Sequence, residues 1–315
     1  MKRFLGYLLV AALLVAGVVS VNAAEYEVTL ILKDNTSAGW RYLASAAIAA
    51  GEKIGVKVTE NSPLETQNAD EQYNAMLDAI EKQVDAICIA PVDSAGIVPA
   101  IEKALEAGIP VFTTNTRAFV KNPEDIVTFV GVGNEKGGYD IAQYMFGKLS
   151  DLEKINLIII DGNRTGQTTL DRIAGIEAAI AEDDRVVLLD SQEGKFSRAN
   201  AQEIMESFLV KYSEIDLVIA LNDEMAIGAY NAISAAGREG EMLISGFDGA
   251  PEGLQAVLDG QISATLNQDL PGQGSGVIEA VKAYLDGESV ESWIKVGGDV
   301  CTPENAAEFL AKLKK

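Results

Sequence analysis

The sequence predicts an α/β protein built from two lobes, each a doubly wound parallel sheet with helices on both faces. Three observations predict it. Short, β-branched apolar runs alternate with longer segments of helical period along nearly the whole chain. Runs that are apolar throughout, each trailed by a helix, belong to parallel sheets covered on both sides. The pattern also comes in two series of similar size that open alike, VTLILKDNTSAGW and INLIIIDGNRTGQ, each running strand, Asp, polar turn, helix. At 315 residues, two lobes fit better than one.

In the first series VTLILK (28–33) reads as a strand and the amphipathic stretch from Ala38 to about Ile54 as a helix. VKVTE (56–60) follows, then a helix over Ala69–Gln83, with Tyr73, Met76, Leu77 and Ile80 at helical spacing. AICIA (86–90), a helix over Ile97–Ala107, PVFTT (110–114) and TFVGV (128–132) complete it. The second series begins with a helix over Gly138–Leu149 and the strand INLIII (155–160). A helix over Thr168–Ala181, VVLLD (186–190), a helix over Ala199–Lys211 and DLVIAL (216–221) come next. A helix over Glu224–Ala236, MLISGF (242–247), a short helix after Pro251 and SATL (263–266) end the series. No long Pro, Gly or Ser linker separates the two, so the connection between lobes is short.

Charge and composition exclude several functions. With 47 acidic against 25 basic residues, the net charge is −22, which disfavours nucleic acid and anionic membrane surfaces as partners. There is no histidine, which removes Ser-His-Asp and Cys-His nucleophile systems and most zinc sites. Cys88 and Cys301 form no metal-ligand pair. Cys88 in AICIAP reads as a buried thiol, and nothing requires a disulfide although the sequence leaves one open.

At the N-terminus Lys2 and Arg3 precede FLGYLLVAALLVAGVVSV and the small residues of Asn22–Ala24. That is the pattern of a secretory signal peptide over residues 1–24, cleaved near Ala23 or Ala24, with a membrane anchor as the alternative. Cleavage takes the charge from −22 to −24 by removing Lys2 and Arg3. No cysteine follows to carry a lipid. The expected product is an exported, soluble protein.

Ligands of open parallel sheets bind beyond the carboxyl ends of the strands. Those ends are polar here: KDNTSAGW, NTRAF, DGNRTGQTTLDR, SQEGKFSR, NDE, DGAPEG and NQD. Asn and Asp cap helices in any α/β protein. Seven such ends with carboxylates, planar amides and the rings of Trp40, Phe119 and Phe196 form a surface suited to sugar hydroxyls and the C–H face of a ring. Other motifs fail. GVGNEKGG (131–138) has Lys136 where a dinucleotide loop needs glycine, and no Walker A, GxSxG or calcium-loop sequence occurs. No cofactor and no metal is called for. The two N-x-S/T sequences, at Asn35 and Asn163, lie in these turns and read as coincidence.

NDEMAIGA (222–229) with GFDGAPEG (246–253) resembles the periplasmic sugar-binding proteins of the ribose-binding type, the substrate-binding subunits of ABC sugar importers. The likeness runs from about Val28 to Gly298 and includes APVDSAGIVPAI (90–101) and AGIPVFTTNT (107–116). The resemblance implies a type I periplasmic binding protein whose lobes are joined by a three-crossing hinge. Residues 25–132 plus 269–297 would form the N-terminal lobe, and 133–268 plus 298–315 the C-terminal lobe. The chain would cross near Val132–Gly133, Gln268–Asp269 and Gly297–Gly298.

It also implies a monosaccharide held by Arg172, Phe196, Asn222, Asp248 and Gln268 of the second lobe. The first lobe departs from the pattern. Lys33 stands where ribose binders have a serine and an arabinose-binding relative has a lysine. Ser37 replaces an asparagine, and Gly39 and Trp40 replace paired phenylalanines. Asn115-Thr116 replaces Asp-Arg, with Arg117 next door. Lys33, Asp34, Trp40, Asn115 and Arg117 are the first-lobe candidates, and the sugar is left open between ribose, another pentose and a hexose. The metal-bearing galactose-binding relatives match less well. The implied partner is a membrane-embedded ABC permease, with a chemoreceptor as the alternative for a sensor; the expected state is a monomer. The rival from another class is a glycosidase using two of Asp34, Asp161, Glu224 and Asp248.

Overall fold

Apolar runs without polar alternation fold here into strands that are hidden on both faces. The computed structural model describes residues 26–64 and 67–313, so the proposed signal peptide lies outside the described residues. The first series builds β1 (Tyr26–Ile31), β2 (Val56–Glu60), β3 (Ala86–Ile89), β4 (Val111–Thr114) and β5 (Phe129–Gly131). β3 and β4 are buried at every position, whereas β2 alternates, as an edge strand with one solvated face does. With β11 (Trp293–Lys295) they form an all-parallel sheet in the order β11-β5-β4-β3-β1-β2. The second sheet contains β6 (Ile155–Asp161), β7 (Val186–Glu193), β8 (Leu217–Ala220), β9 (Leu243–Asp248), β10 (Ala264–Asn267) and β12 (Asp299–Cys301). Its order is β12-β10-β9-β8-β6-β7, with only β12 antiparallel.

In each sheet the chain leaves the first strand to one side and returns on the other. The two switch points, β1/β3 and β6/β8, therefore leave a crevice at their carboxyl ends. Helices α1 (Ala38–Ile54) and α9 (Leu270–Leu285) cover one face of the first sheet, where Leu43 and Ala47 pack with Val277 and Ile278. On the other face α2 (Ala69–Glu81) and α3 (Val98–Glu106) bring Met76 and Ile101 against Ile87 and Ile89. In the second lobe α4 (Asn134–Lys148), α5 (Gln167–Ala181), α6 (Arg198–Lys211), α7 (Asp223–Ala235) and α8 (Pro251–Leu258) share one continuous core with the sheet. None of the described helices is long and apolar enough to cross a membrane.

The chain passes between sheets after β5, after β10 and between β11 and β12. The last two passages run side by side, with Gly298 N donating to Asn267 O at 2.8 Å. Gly297 is left-handed (φ 75°), and a Cβ there would lie 2.6 Å from the Gln268 backbone.

The sequence reading assigns no elements after residue 266, yet the structure places α9, β11, β12 and α10 (Ala306–Leu313) there. Glycines at 272, 274 and 276 dilute the helical pattern of α9. Packing requires at least one of them: a Cβ on Gly274 would collide with the Leu43 carbonyl of α1. Helix α4 likewise begins at Asn134 rather than Gly138, because Gly137 and Gly138 mask its first turn. Cys88 and Cys301 are buried free thiols on different sheets, and burial pushes both above the usual thiol range.

Helices α4 and α5 cross closely because Gly138 and Gly175 have no side chains; a Cβ on Gly175 would overlap the Glu135 carbonyl. Gly175→Ala should therefore cost about 1–3 kcal/mol through overpacking. Thermal unfolding should show a Tm at least ~2 °C lower. An unchanged Tm would show that the helices can part freely.

Candidate functional site

The carboxyl ends of both sheets face one another across a cavity of about 500 Å³. The lobes meet around it through direct hydrogen bonds. Ser94 N donates to Thr165 O (3.1 Å), Gln167 N to Ser94 Oγ (2.9 Å) and Asn163 Nδ2 to Gln67 Oε1 (3.2 Å), while the Thr116 and Thr168 hydroxyls lie 2.7 Å apart.

Lys33 follows β1 directly and is only 3 % exposed. Its Nζ lies 5.9 Å from the Trp40 ring centroid and 5.4 Å from that of Phe196, which belongs to the opposite lobe. It makes no hydrogen bond within the described protein. Burial, reinforced by the Arg172 charge, brings its pKa down to about 7, against the opposing pull of Asp248 and Asp34. Phe196 and its neighbour Lys195 are both left-handed (φ 58° and 54°). The Phe196 ring lies against Gly162, where any Cβ would strike it.

Arg172, on the first half of α5, is 1 % exposed. Its Nε donates to Asn134 Oδ1 at 3.0 Å, its Nη1 to the Leu221 carbonyl, and its Cζ stacks 3.6 Å from the Phe247 ring centroid. That leaves Nη2 without a hydrogen-bond partner among the described residues. Burial lowers its pKa to about 10 although Asp248 and Asp223 oppose the shift.

Asn222 caps α7: its Oδ1 accepts from Met225 N at 2.9 Å, and its Nδ2 remains unpaired on the cavity wall. Cap and wall residue are thus the same side chain.

Asp248 ends β9 with a φ of 137°, a strained value for any residue but glycine. Its Oδ1 accepts from Gln268 Nε2, whose Oε1 accepts from Asn115 Nδ2 at 3.0 Å. This chain ties the first lobe to the second and leaves Asp248 Oδ2 unpaired. Burial raises the Asp248 pKa to about 6, while Arg172 and Gln268 hold it down.

Two first-lobe candidates have other roles. Asp34 lines the cavity, but Thr36 N, Thr36 Oγ1 and Ser37 N all donate to its Oδ1 (2.9, 3.0 and 2.6 Å) and Ser37 Oγ to its Oδ2 (2.9 Å). Its acceptors build the turn that starts α1. Arg117 does not reach the cavity. It stacks on Phe129 and Trp293, with Cζ 4.4 and 4.8 Å from the centroids, in a separate interlobe cavity of about 460 Å³. Asn115 is left-handed (φ 61°), which breaks the strand alternation and sends Arg117 the other way. Phe119 is exposed and also outside the cavity.

The sequence reading missed Asp223 and Tyr42, both on the cavity wall. Asp223 accepts from Thr265 Oγ1 and from Ala250 N (2.9 Å), joining α7 to the β9–α8 turn. Burial and neighbouring Asp248 push its carboxyl well above the usual range. Gly253 is its sequence signature, since a Cβ there would overlap the carboxylate. Nothing in the sequence tells which face of α1 Tyr42 occupies.

Of the four carboxylates of the glycosidase reading, Asp34, Asp161 and Glu224 are engaged within the protein. Asp161 lies off the cavity and accepts from Arg164 Nε at 2.7 Å and Ser191 Oγ at 2.8 Å. Glu224 is paired bidentately with Arg198 at 2.8 and 3.0 Å.

Residues 28–289 match the periplasmic binding protein domain family. The fructose import binding protein of Bifidobacterium longum is 32% identical over 83% of this chain and 80% of its own length. The ribose import binding protein of Escherichia coli is 30% identical over 90% and 93%. Among solved structures, a periplasmic solute binding protein from Actinobacillus succinogenes with bound D-allose superposes with a TM-score of 0.84 at 26% identity. That superposition covers 90% of this chain and all of the other. All three are binding proteins, not enzymes, and the chain belongs to the periplasmic binding protein family, in its ribose-binding type.

Proposed function

We propose that the cavity captures a monosaccharide between the two lobes and that the protein delivers it to an ABC permease from the periplasm. Four groups support this reading: Lys33 Nζ, Arg172 Nη2, Asn222 Nδ2 and Asp248 Oδ2. Lys33, Arg172 and Asn222 are buried and Asp248 is half-buried, and none of the four groups has a hydrogen-bond partner among the described residues. Each opens onto the cavity, where it is free to bond the hydroxyls of a ligand that displaces the cavity's water. Donors and an acceptor converge from both lobes, and Trp40 and Phe196 offer flat faces for a C–H surface. The observation that carries the proposal is the Lys33 ammonium, held between rings of opposite lobes with no acceptor.

In this reading the lobes are residues 25–132 with 269–297, and 133–268 with 298–315. They close about the three crossings on a monomeric protein exported by the signal peptide of residues 1–24. The relatives' names place fructose, ribose and allose first in a panel. Thermal unfolding with each sugar tests the proposal. A ligand at about 1,000 times its Kd should add ~4 kcal/mol of stability and be recovered unchanged. No shift from any sugar, in protein stripped of carried-over ligand, would refute sugar binding.

Asp248→Ala should fold normally but weaken sugar binding by about 30-fold or more, as expected when one member of a buried polar set is removed. Titration calorimetry checks this, and unchanged affinity would remove Asp248 from the site.

The pH dependence has a definite sign. Lys33, at about 7, loses its charge as pH rises, and Asp248, at about 6, loses its charge as pH falls. Binding that uses both charged forms should be tightest between those values and decline on either side. Lys33→Met should abolish the alkaline decline and keep the acidic one.

A further inference from the structure

Arg172 is part of the cavity wall, but the groups that fix its guanidinium lie behind that wall. Neither Asn134 nor Phe247 lines the cavity. Asn134 opens α4 just after the first passage between the sheets, and it is 6% exposed. Its Oδ1 accepts the Arg172 Nε hydrogen bond at 3.0 Å. Phe247, 1% exposed, precedes Asp248 on β9, and its ring centroid lies 3.6 Å from Arg172 Cζ. A ring stacked on the guanidinium face sets the plane of the fork, and an acceptor on Nε sets its rotation within that plane. With the Leu221 carbonyl on Nη1, the direction of Nη2 follows.

The Phe247 ring is held in turn from the hinge. It belongs to a small apolar cluster, separate from the cores of the two lobes, with Val132, Leu266 and Val300. Val132 follows β5, Leu266 lies on β10 and Val300 on β12, so each stands beside one passage between the sheets. Gly137 of α4 lies against the ring, and a Cβ there would come within 2.8 Å of Phe247 Cζ. In an interior packed this closely the ring cannot tilt without moving α4 or the chain at a passage. Asn134 lies in the first turn of that same helix.

We propose that Asn134 and Phe247 are positioning residues for sugar binding: from the hinge side they aim Arg172 Nη2 into the cavity. Substituting either weakens binding without removing any group that touches the sugar. The inference rests on the sugar-binding reading above and adds to it two residues that no contact with the ligand would reveal. A guanidinium whose plane and rotation are set beforehand loses little freedom when a hydroxyl arrives, which favours binding.

A double-mutant cycle tests this, read by titration calorimetry with whichever of fructose, ribose and allose binds. Asn134→Ala and Phe247→Leu should each raise Kd about tenfold, as expected when a charge-assisted bond to the ligand loses its aim. Arg172→Lys has neither an Nε nor a flat face, so in that background each should change Kd less than about twofold. A merely structural role would persist there, and a loss of equal size in both backgrounds overturns the proposal. So does an unchanged Kd in the protein that keeps Arg172. Heteronuclear NMR of the Arg172 Nε–H group in the ligand-free protein gives a second readout, its resonance assigned by its loss in Arg172→Lys. Asn134→Ala should speed exchange of that proton with water at least ~tenfold, the usual consequence of losing a buried partner, while Asn134→Asp keeps the acceptor and preserves protection. Exchange in the unaltered protein as fast as in a free arginine overturns the proposal. If a sugar binds but the cycle shows no coupling, the positioning role falls and sugar binding stands. If none binds while the Nε proton is protected, the sugar reading falls and the role in affinity falls with it.

Discussion

Holding the Lys33 ammonium largely out of bulk water, on the cavity wall near Trp40 and Phe196, sets the terms for the rest of the cleft. A buried cation without an acceptor is costly, and the fall of its pKa to about 7 reflects that cost. Two aromatic faces recover part of it. One of those faces comes from the other lobe, so the Lys33 environment exists only while the lobes are apposed. Arg172 sits in the same field and adds to the repulsion, and its own guanidinium is held through Nε by Asn134, through Nη1 by the Leu221 carbonyl, and by the Phe247 ring. Separating the lobes would return Lys33 to water, whereas a ligand oxygen would satisfy it in place. The free energy of closure and the free energy of ligand binding are therefore tied together at this one atom.

The same region stores backbone strain. Left-handed residues other than glycine are few, and Asn115, Phe196 and Asp248 all lie on the cavity wall. Each conformation aims a side chain that an ordinary strand end would send elsewhere. At Asn115 it directs the amide to Gln268, at Asp248 the carboxylate to the cleft, and at Phe196 the ring onto Gly162. Strain of roughly 1–3 kcal/mol per residue is tolerated because the surrounding parallel sheets are buried and rigid. The site is thus arranged before any ligand arrives, which lowers the ordering cost of binding.

Much of this was legible in the sequence, and the exceptions have physical reasons. Strands such as INLIII and DLVIAL announce themselves because burial on both faces removes the polar alternation. The polar strand ends draw attention to the stretches that carry Lys33, Asn222, Asp248 and Gln268, because a parallel sheet puts its carboxyl ends together, but the family resemblance singles out these residues and Arg172 on α5. Arg117 could not be placed, since one left-handed residue two positions earlier reverses which way it points. Asp34 could not be distinguished from a ligand contact, because a carboxylate that builds a turn and one that faces a cavity look alike in sequence. Helix α9 was hidden by the glycines that let it approach α1. Tyr42 and Ser45 were invisible for a different reason. Their place on the cavity wall depends on how the two lobes meet, which no local pattern encodes.

The two lobes begin alike but contribute unequally. In the first, the aspartate after β1 is consumed by its own turn, and the lobe offers the cleft a lysine, an asparagine and a tryptophan. In the second, the matching Asp161 is held by Arg164 and Ser191, and the polar work passes to Arg172, Asn222 and Asp248 on three separate elements. Most of the hydrogen-bonding capacity thus resides on one wall. The opposite wall supplies the charge and the ring whose surroundings change most when the lobes meet. Groups that are fixed on one lobe can hold a ligand in either state, whereas the Lys33–Phe196 contact and the Asn115–Gln268 bond exist only when the lobes are together. A ligand shifts a conformational equilibrium only through contacts that differ between its states. In this fold those contacts come from the ends of β1, β3 and β4, through Lys33, Ser94, Asn115 and Thr116.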